Sequence, residues 1–281
     1  MSKDFLQIKA HELRRDVIKM LELAGSGHPA GALGLAEVFS ALYFEIMKND
    51  PDDPDWEDRD ILFLSNGHVA PILYASLAHA GYFSRAELAT LRRLGSRLQG
   101  HPERIKLPGV ENTSGPLGSG LSQASGYAYS LQYFDKQTDR FVYCVMSDGE
   151  LDEGNTWEAV MFASKYRLGQ LIAIVDRNQI QLSGKTQDVM PLESLEDKWR
   201  AFGWDAQSID GHDIDQIIDS VNRAKQLSDR PSVIIAKTIP GKGVDFMEND
   251  YKWHGKAPNP EQSAQAISQI KRQIDSEVKH D

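Results

Sequence analysis

The chain has 281 residues, of which 41% are hydrophobic and 26% are charged, as is ordinary for a soluble globular protein. Its net charge of −10 argues against nucleic acid or an anionic membrane as a partner, and no apolar run approaches the roughly 20 residues that span a bilayer. The single Cys144 lies in an apolar run, and the first residues lack the apolar core of a signal peptide. We therefore expect a reduced core thiol and a cytoplasmic protein.

Hydrophobic periodicity predicts helices at the start of the chain, followed by strands that alternate with helices. Helices are predicted at 10–24, 34–48, 70–80, 85–94, 121–133, 156–166 and 214–227, with a charged helical tail at about 260–281. Short apolar runs predict strands at 61–64, 141–146, 171–175 and 232–236, and a shorter one at 208–209. This alternation indicates one α/β domain over 1–281, with a doubly wound parallel sheet flanked by helices.

Two neighbouring strand ends carry groups suited to a metal ion. Asp148 follows the strand at 141–146 and Asn178 follows the strand at 171–175, with a helix predicted between them. Such a crossover is parallel, so both polar ends lie at the same edge of the sheet, where ligands bind in open α/β sheets. A carboxylate and an amide oxygen are hard ligands suited to Mg²⁺ that holds a diphosphate. The alternative is that Asp148 only forms a turn or a cap.

Five of the eight histidines adjoin a glycine, an arrangement that suits imidazoles placed close to a ligand. The alternative for each is a solvated loop residue or a helix cap. His212 is predicted to be a helix-start residue, and His11, His79 and His280 are predicted to lie on the surface. The five beside glycine are His28, His68, His101, His212 and His254.

The spacing of Asp148 and Asn178 resembles the thiamine diphosphate fingerprint, although Ser147 replaces its first glycine and Arg177 stands where an asparagine is usual. Further motifs follow the order seen in transketolases, at 26–29, 64–68, 100–103, 114–120, 147–150, 210–213 and 237–239. The stretches 241–249 and 253–259 look like those of the N-terminal subunit of two-chain transketolases. The resemblance covers nearly the whole chain and implies the diphosphate-binding (PP-type) domain of the thiamine diphosphate fold.

The resemblance also implies roles for individual residues. The metal ligands would be Asp148, Asn178 and the backbone carbonyl of Ile180, holding Mg²⁺ or a substituting Ca²⁺ or Mn²⁺. Glu153 matches an acidic residue of a carboxylate network between paired active sites; alternatively, it only favours a helix N-terminus. The implied catalytic residues are His28, His101, His254 and Glu153, and the implied cofactor-binding residues are His68, Gly115, Leu117, Gly149, Glu150, Asn178, Ile180 and His254.

The reaction implied by the resemblance moves a two-carbon ketol unit from a ketose phosphate to an aldose, with thiamine diphosphate as the cofactor. His28, His101 and His254 would move protons on and off substrate oxygens. The pyrimidine-binding glutamate and the arginines that grip the substrate phosphate belong to a different domain in this family. We therefore expect the partner to be a C-terminal transketolase subunit, in an assembly of two copies of each chain.

Three alternatives stay open at this point. The chain could be the α subunit of a 2-oxoacid dehydrogenase or decarboxylase, which shares the metal motif. It could be a transketolase-like subunit that acts on an unusual sugar or a tethered carbon unit. It could also be a non-catalytic cofactor-binding subunit.

Overall fold

A computed structural model describes residues 1–137 and 139–278 of the chain. Within these residues, five parallel strands form one sheet in the order β1-β2-β3-β7-β6, and β4 and β5 form a small antiparallel hairpin. The strands are β1 (Ile61–Leu64), β2 (Val142–Ser147), β3 (Leu171–Arg177), β4 (Ile180–Gln181), β5 (Gly184–Lys185), β6 (Asp205–Asp210) and β7 (Ser232–Lys237). The predicted parallel sheet is confirmed.

Helices cover both faces of this sheet. They are α1 (Lys3–Ala24), α2 (Pro29–Gly34), α3 (Ala36–Ala41), α4 (Ala70–Ala80), α5 (Ser119–Ser130), α6 (Gly154–Lys165), α7 (Thr186–Val189), α8 (Leu195–Ala201), α9 (Ile214–Lys225) and α10 (Pro260–Glu277). No helix in the described ranges is long and apolar enough to cross a membrane.

The sheet separates two hydrophobic cores, because successive side chains of a strand point to opposite faces. Leu62, Tyr143 and Ile172 belong to the core that α1, α3, α4, α9 and α10 complete. Ile61 and Cys144 belong to the other core, completed by α5, α6 and α8. Cys144 is a free, buried thiol, as predicted.

The ends of the two longest helices follow from local sequence. In α1, the Ser2 hydroxyl accepts a hydrogen bond from Phe5 N at 3.2 Å, and the helix ends at Gly25 in the left-handed conformation (φ 64°). In α10, Asn259 and Gln262 form a reciprocal capping box. The predicted tail is therefore helical through Glu277, while 279–281, including His280, lies outside the described residues.

Two predicted helices are wrong in part. The helix predicted at 34–48 is interrupted at Leu35 between α2 and α3 and ends in a π turn at Leu42–Ile46. The helix predicted at 85–94 is only a 3₁₀ turn at Arg85–Thr90. It stops at Leu91, whose backbone leaves the helical region (ψ 128°) and whose side chain is buried in the core, and Arg92 follows with a positive φ of 60°.

Two histidines predicted on the surface are buried. The His79 side chain is 1% exposed, and its Nε2 lies 2.9 Å from Asp16 Oδ2 on α1. His11 is also buried and faces the Arg14 guanidinium. Helix α8 was not predicted, although its Trp199 is completely buried against the second core.

Candidate active site

The carboxyl-terminal edge of the sheet brings together residues from distant parts of the chain. His68 follows β1, Asp148 follows β2, and Asn178 follows β3. The register pairs Ser147 with Asp176, so the two turns that carry Asp148 and Asn178 lie side by side. His28 precedes α2, and His254 ends the 3₁₀ turn Tyr251–Trp253.

Three imidazoles form a cluster at this edge. The ring centroids lie 5.2 Å apart for His28 and His68, 5.6 Å for His28 and His254, and 5.2 Å for His68 and His254. They face a cavity of about 370 Å³, and the more exposed ring of His101 lies at the same cavity. The predicted residues that line it are His28, His68, His101, Gly115, Leu117, Gly149, Asn178, Ile180 and His254.

These imidazoles are uncharged at neutral pH. Burial, followed by the neighbouring His254 and Arg92, lowers the pKa of His28 to about 4. Burial, followed by His254 and His28, lowers the pKa of His68 to about 3. Burial also lowers the pKa values of His101 and His254. A neutral imidazole offers one donor and one acceptor, and the buried His28 Nδ1 has no partner among the described residues. It is a buried polar atom that the described residues leave without a hydrogen bond.

Asp148 is completely buried, and only one of its two carboxylate oxygens accepts hydrogen bonds from the described residues. Its Oδ2 accepts hydrogen bonds from Arg177 Nη1 at 2.7 Å and from Gln179 N at 2.8 Å. Its Oδ1 is buried without a partner in the described part of the chain. Burial raises the pKa of Asp148 to about 6, although Arg177 acts in the opposite direction. An unpartnered buried carboxylate oxygen is costly unless a cation or donor reaches it.

Two residues that sequence reasoning missed orient Asn178. The Asn178 amide nitrogen donates to Asp176 Oδ2 at 2.7 Å, and the Thr238 hydroxyl donates to the other oxygen of Asp176. The Asn178 amide oxygen accepts from Ile180 N at 3.0 Å. The side chain is thus held with its oxygen turned away from Asp176.

These residues fit a hard divalent cation. A carboxylate oxygen, an amide oxygen and a backbone carbonyl are ligands of the kind that Mg²⁺ accepts, with its remaining positions left to phosphate and water. Among the described residues there is no group of three or more His, Cys, Asp or Glu side chains that could hold a metal. The described residues therefore lack the side-chain set of a zinc site.

Glu150 lies behind the cavity rather than on its surface. It is completely buried, and both of its oxygens accept hydrogen bonds from the protein: from Ser147 N at 2.7 Å, from the Ser65 hydroxyl at 2.6 Å and from Gly118 N at 2.7 Å. It joins the ends of β1 and β2 to the start of α5. It therefore fixes the loops that form the cavity.

Glu153 is placed outside the cavity. It is exposed at the N-terminal end of α6, and its side chain makes no capping hydrogen bond to the described backbone. Its predicted place in a carboxylate network depends on a second active site and stays a prediction.

Three further residues complete the cavity lining: Ser147, Gln181 and Leu182. Gln181 Nε2 donates to Asp152 Oδ2 at 2.9 Å, which connects the β4–β5 hairpin to the turn after β2. Leu182 is 71% exposed at the tip of that hairpin. An apolar side chain among polar hairpin residues was the signal in the sequence that could have identified it.

The thiamine diphosphate binding domain of transketolase matches this chain over residues 7–278. The chain is 43% identical over 268 residues to the 6-deoxy-6-sulfo-D-fructose transketolase subunit SqwG of Clostridium sp. (strain MSTE9), covering 95% of this chain and 97% of that protein. It is 38% identical over 275 residues to a subunit of the apulose-4-phosphate transketolase of Phocaeicola vulgatus, covering 98% and 97%.

Full-length transketolases are matched over part of their length. The chain is 40% identical over 274 residues to the transketolase of Homo sapiens, covering 98% of this chain but 43% of that protein. The crystal structure of transketolase from Campylobacter jejuni has a TM-score of 0.90 at 35% identity, covering 96% of this chain and 43% of that one. The resemblance inferred from the motifs is confirmed, and the chain belongs to the transketolase family, whose thiamine diphosphate binding domain it contains.

Proposed function

We propose that this chain is the diphosphate-binding subunit of a two-chain transketolase that depends on thiamine diphosphate and Mg²⁺. It would transfer a two-carbon ketol unit from a ketose phosphate to an aldose, in the cytoplasm. The observation that carries the proposal is the convergence of four uncharged imidazoles with Asp148 and Asn178 at one edge of the sheet.

The residues present suit the metal, the diphosphate and the substrate hydroxyls of such a site. Asp148, Asn178 and the Ile180 carbonyl would hold the Mg²⁺, and His68 and His254 would donate hydrogen bonds to the diphosphate. Thiamine diphosphate supplies the carbon nucleophile for the ketose carbonyl when it is bound. As neutral imidazoles, His28 and His101 can each accept a proton from a substrate hydroxyl, or donate a hydrogen bond to one, near pH 7.

A separate partner chain would complete the site. The two relatives that this chain covers to 97% of their length are each called a transketolase subunit, whereas the chain spans 43% of the human enzyme. We infer that a C-terminal subunit supplies the pyrimidine-binding domain and covers the cavity edge at His101 and Leu182. Two copies of each chain related by a two-fold axis would form the closed assembly.

The sugar substrate is a separate question, because the two relatives covered to 97% of their length are named for different sugars. One is named for 6-deoxy-6-sulfo-D-fructose and the other for apulose 4-phosphate. A second candidate function is therefore ketol transfer from an unusual sugar, with the same residues in the same roles. A panel of ketose donors that includes phosphorylated, sulfonated and branched sugars distinguishes the two.

Reconstitution tests the proposed function. The chain is purified alone and together with a candidate partner chain, and donor cleavage is assayed with thiamine diphosphate and Mg²⁺. We expect turnover only with both chains, and none when this chain carries Asp148→Asn. Robust turnover by the chain alone would contradict the two-chain proposal. Cofactor binding by the pair without turnover on any donor would favour a non-catalytic subunit.

A further inference from the structure

Arg177 occupies an unusual position directly behind the proposed metal site. It is the last residue of β3 and precedes Asn178, at the place where the thiamine diphosphate fingerprint usually has an asparagine. Its Nη1 donates to Asp148 Oδ2 at 2.7 Å and to the Thr186 hydroxyl at 2.9 Å, and its Nη2 donates to Glu193 Oε1 at 2.5 Å. Three groups from separate segments therefore fix the guanidinium.

The two ion pairs of Arg177 differ in strength because they differ in burial. The side chains of Arg177 and Asp148 are 6% and 0% exposed, so water hardly screens the inner pair. The Glu193 side chain is 59% exposed, so its pair with Arg177 is screened more than the inner pair but still acts on a guanidinium that is itself buried. A second cavity, of about 460 Å³, opens on this outer side and is lined by both Arg177 and Glu193.

A metal ion at the free Asp148 Oδ1 would share that carboxylate with the guanidinium. The two cations would then lie within one carboxyl group of each other in a buried environment, and they repel. In the metal-free protein, Arg177 compensates the buried charge of Asp148, which would otherwise be unpaired. Both effects favour the metal-free form relative to the metal-bound form.

We propose that Arg177 is an internal counter-ion of the metal site, which holds Asp148 in place and lowers the affinity of the site for Mg²⁺. The Glu193 carboxylate reduces this loss of Mg²⁺ affinity, because its negative charge partly offsets the positive charge of the guanidinium at the metal site. The inference rests on the proposed function, in which Asp148 is a metal ligand. It predicts that the metal site needs a higher Mg²⁺ concentration for half-saturation than the same site would need without Arg177.

Three variants test the proposal in the full chain with its partner chain present. Mg²⁺ is titrated by calorimetry at saturating thiamine diphosphate, and the melting temperature is measured with and without Mg²⁺. We expect Arg177→Gln to tighten Mg²⁺ binding on the order of tenfold and to lower the melting temperature of the metal-free protein. We expect Glu193→Gln to weaken binding about two- to fivefold, because the guanidinium then faces the site uncompensated. Arg177→Lys is the matched control that keeps the charge, and its affinity should stay within about threefold of the wild type.

The outcomes show whether the charge of Arg177 or the shape of its side chain changes the Mg²⁺ affinity. Weaker or unchanged Mg²⁺ binding by Arg177→Gln would overturn the proposal, and so would tightening by Arg177→Lys that equals that of Arg177→Gln. If Arg177→Gln does not fold, unchanged affinity of Glu193→Gln overturns it alone. Asp148→Asn tests the metal assignment of Asp148 separately from the counter-ion role of Arg177. If that variant keeps Mg²⁺-dependent cofactor binding, the metal assignment itself is wrong; if it loses binding while the Arg177 and Glu193 variants match the wild type, only the counter-ion role fails.

Discussion

Replacing His68 with glutamine should make the folded protein less sensitive to acid. His68 lies in the cluster with His28 and His254, and burial lowers its pKa from 6.5 to about 3. In the unfolded chain the same imidazole takes up a proton as the pH falls through 6.5. Below that pH the unfolded state binds a proton that the folded state does not, so the free energy of unfolding falls until the pH nears 3.

The size of the effect follows from the pKa difference. Each pH unit below 6.5 lowers the free energy of unfolding by about 1.4 kcal/mol for this one group. At pH 5 the loss due to His68 is therefore about 2 kcal/mol, whereas at pH 8 it is close to zero. Glutamine does not titrate, so the His68→Gln variant should gain about 2 kcal/mol relative to the wild type between pH 8 and pH 5.

Urea unfolding of the ligand-free chain, followed by circular dichroism at pH 8 and pH 5, measures this difference. The pH 8 data give the effect of the substitution on the free energy of unfolding that does not depend on protonation. His101→Gln is the matched control, and we expect a smaller gain from it because that ring is exposed to solvent. If the gap between His68→Gln and the wild type is the same at both pH values, His68 is not held neutral by burial and the reasoning fails.

The remaining predictions concern packing, catalysis and the metal. A methyl group at Gly120 would lie 2.5 Å from Ser65 Cα, so Gly120→Ala should cost about 1–3 kcal/mol in urea unfolding. Gly126 lies on the same helix, and a methyl group there would meet nothing within 4 Å among the described atoms. Gly126→Ala should therefore be neutral or stabilising by up to about 1 kcal/mol. Equal costs at Gly120 and Gly126 would refute the packing argument. His28→Ala and His101→Ala should each lower turnover roughly 10²- to 10⁴-fold with little change in cofactor affinity, measured by steady-state kinetics and calorimetry. Loss of cofactor with near-normal turnover would reverse these roles. Asp148→Ala should abolish Mg²⁺-dependent binding of thiamine diphosphate, and unchanged affinity in calorimetry would eliminate the metal assignment.

The sequence predicted the five strands of the sheet and the strand-end pair because both depend on local patterns, whereas the β4–β5 hairpin was not predicted. A parallel crossover places Asp148 and Asn178 at one edge whatever the rest of the chain does, and the structure has them there. The grouping of His28 with His254 came only from the resemblance, since no local pattern relates residues so far apart.

Other features could not be predicted because their cause lies in tertiary contacts. The role of Glu150 depends on Ser65 and Gly118, which are distant in sequence. The helix predicted at 85–94 fails because burial of Leu91 outweighs its helical spacing. His79 is buried because Asp16 on another helix pairs with it.

The contact between His28 and His254 has a consequence for how the protein is made. His28 leaves the ribosome before any strand and His254 after all five strands of the sheet, so a nascent chain holds only part of the cavity. Only a chain synthesised past His254 can hold the complete cluster of His28, His68 and His254. A ligand that binds the native state alone stabilises it by mass action, so a ligand of this cavity stabilises completed chains and not nascent ones.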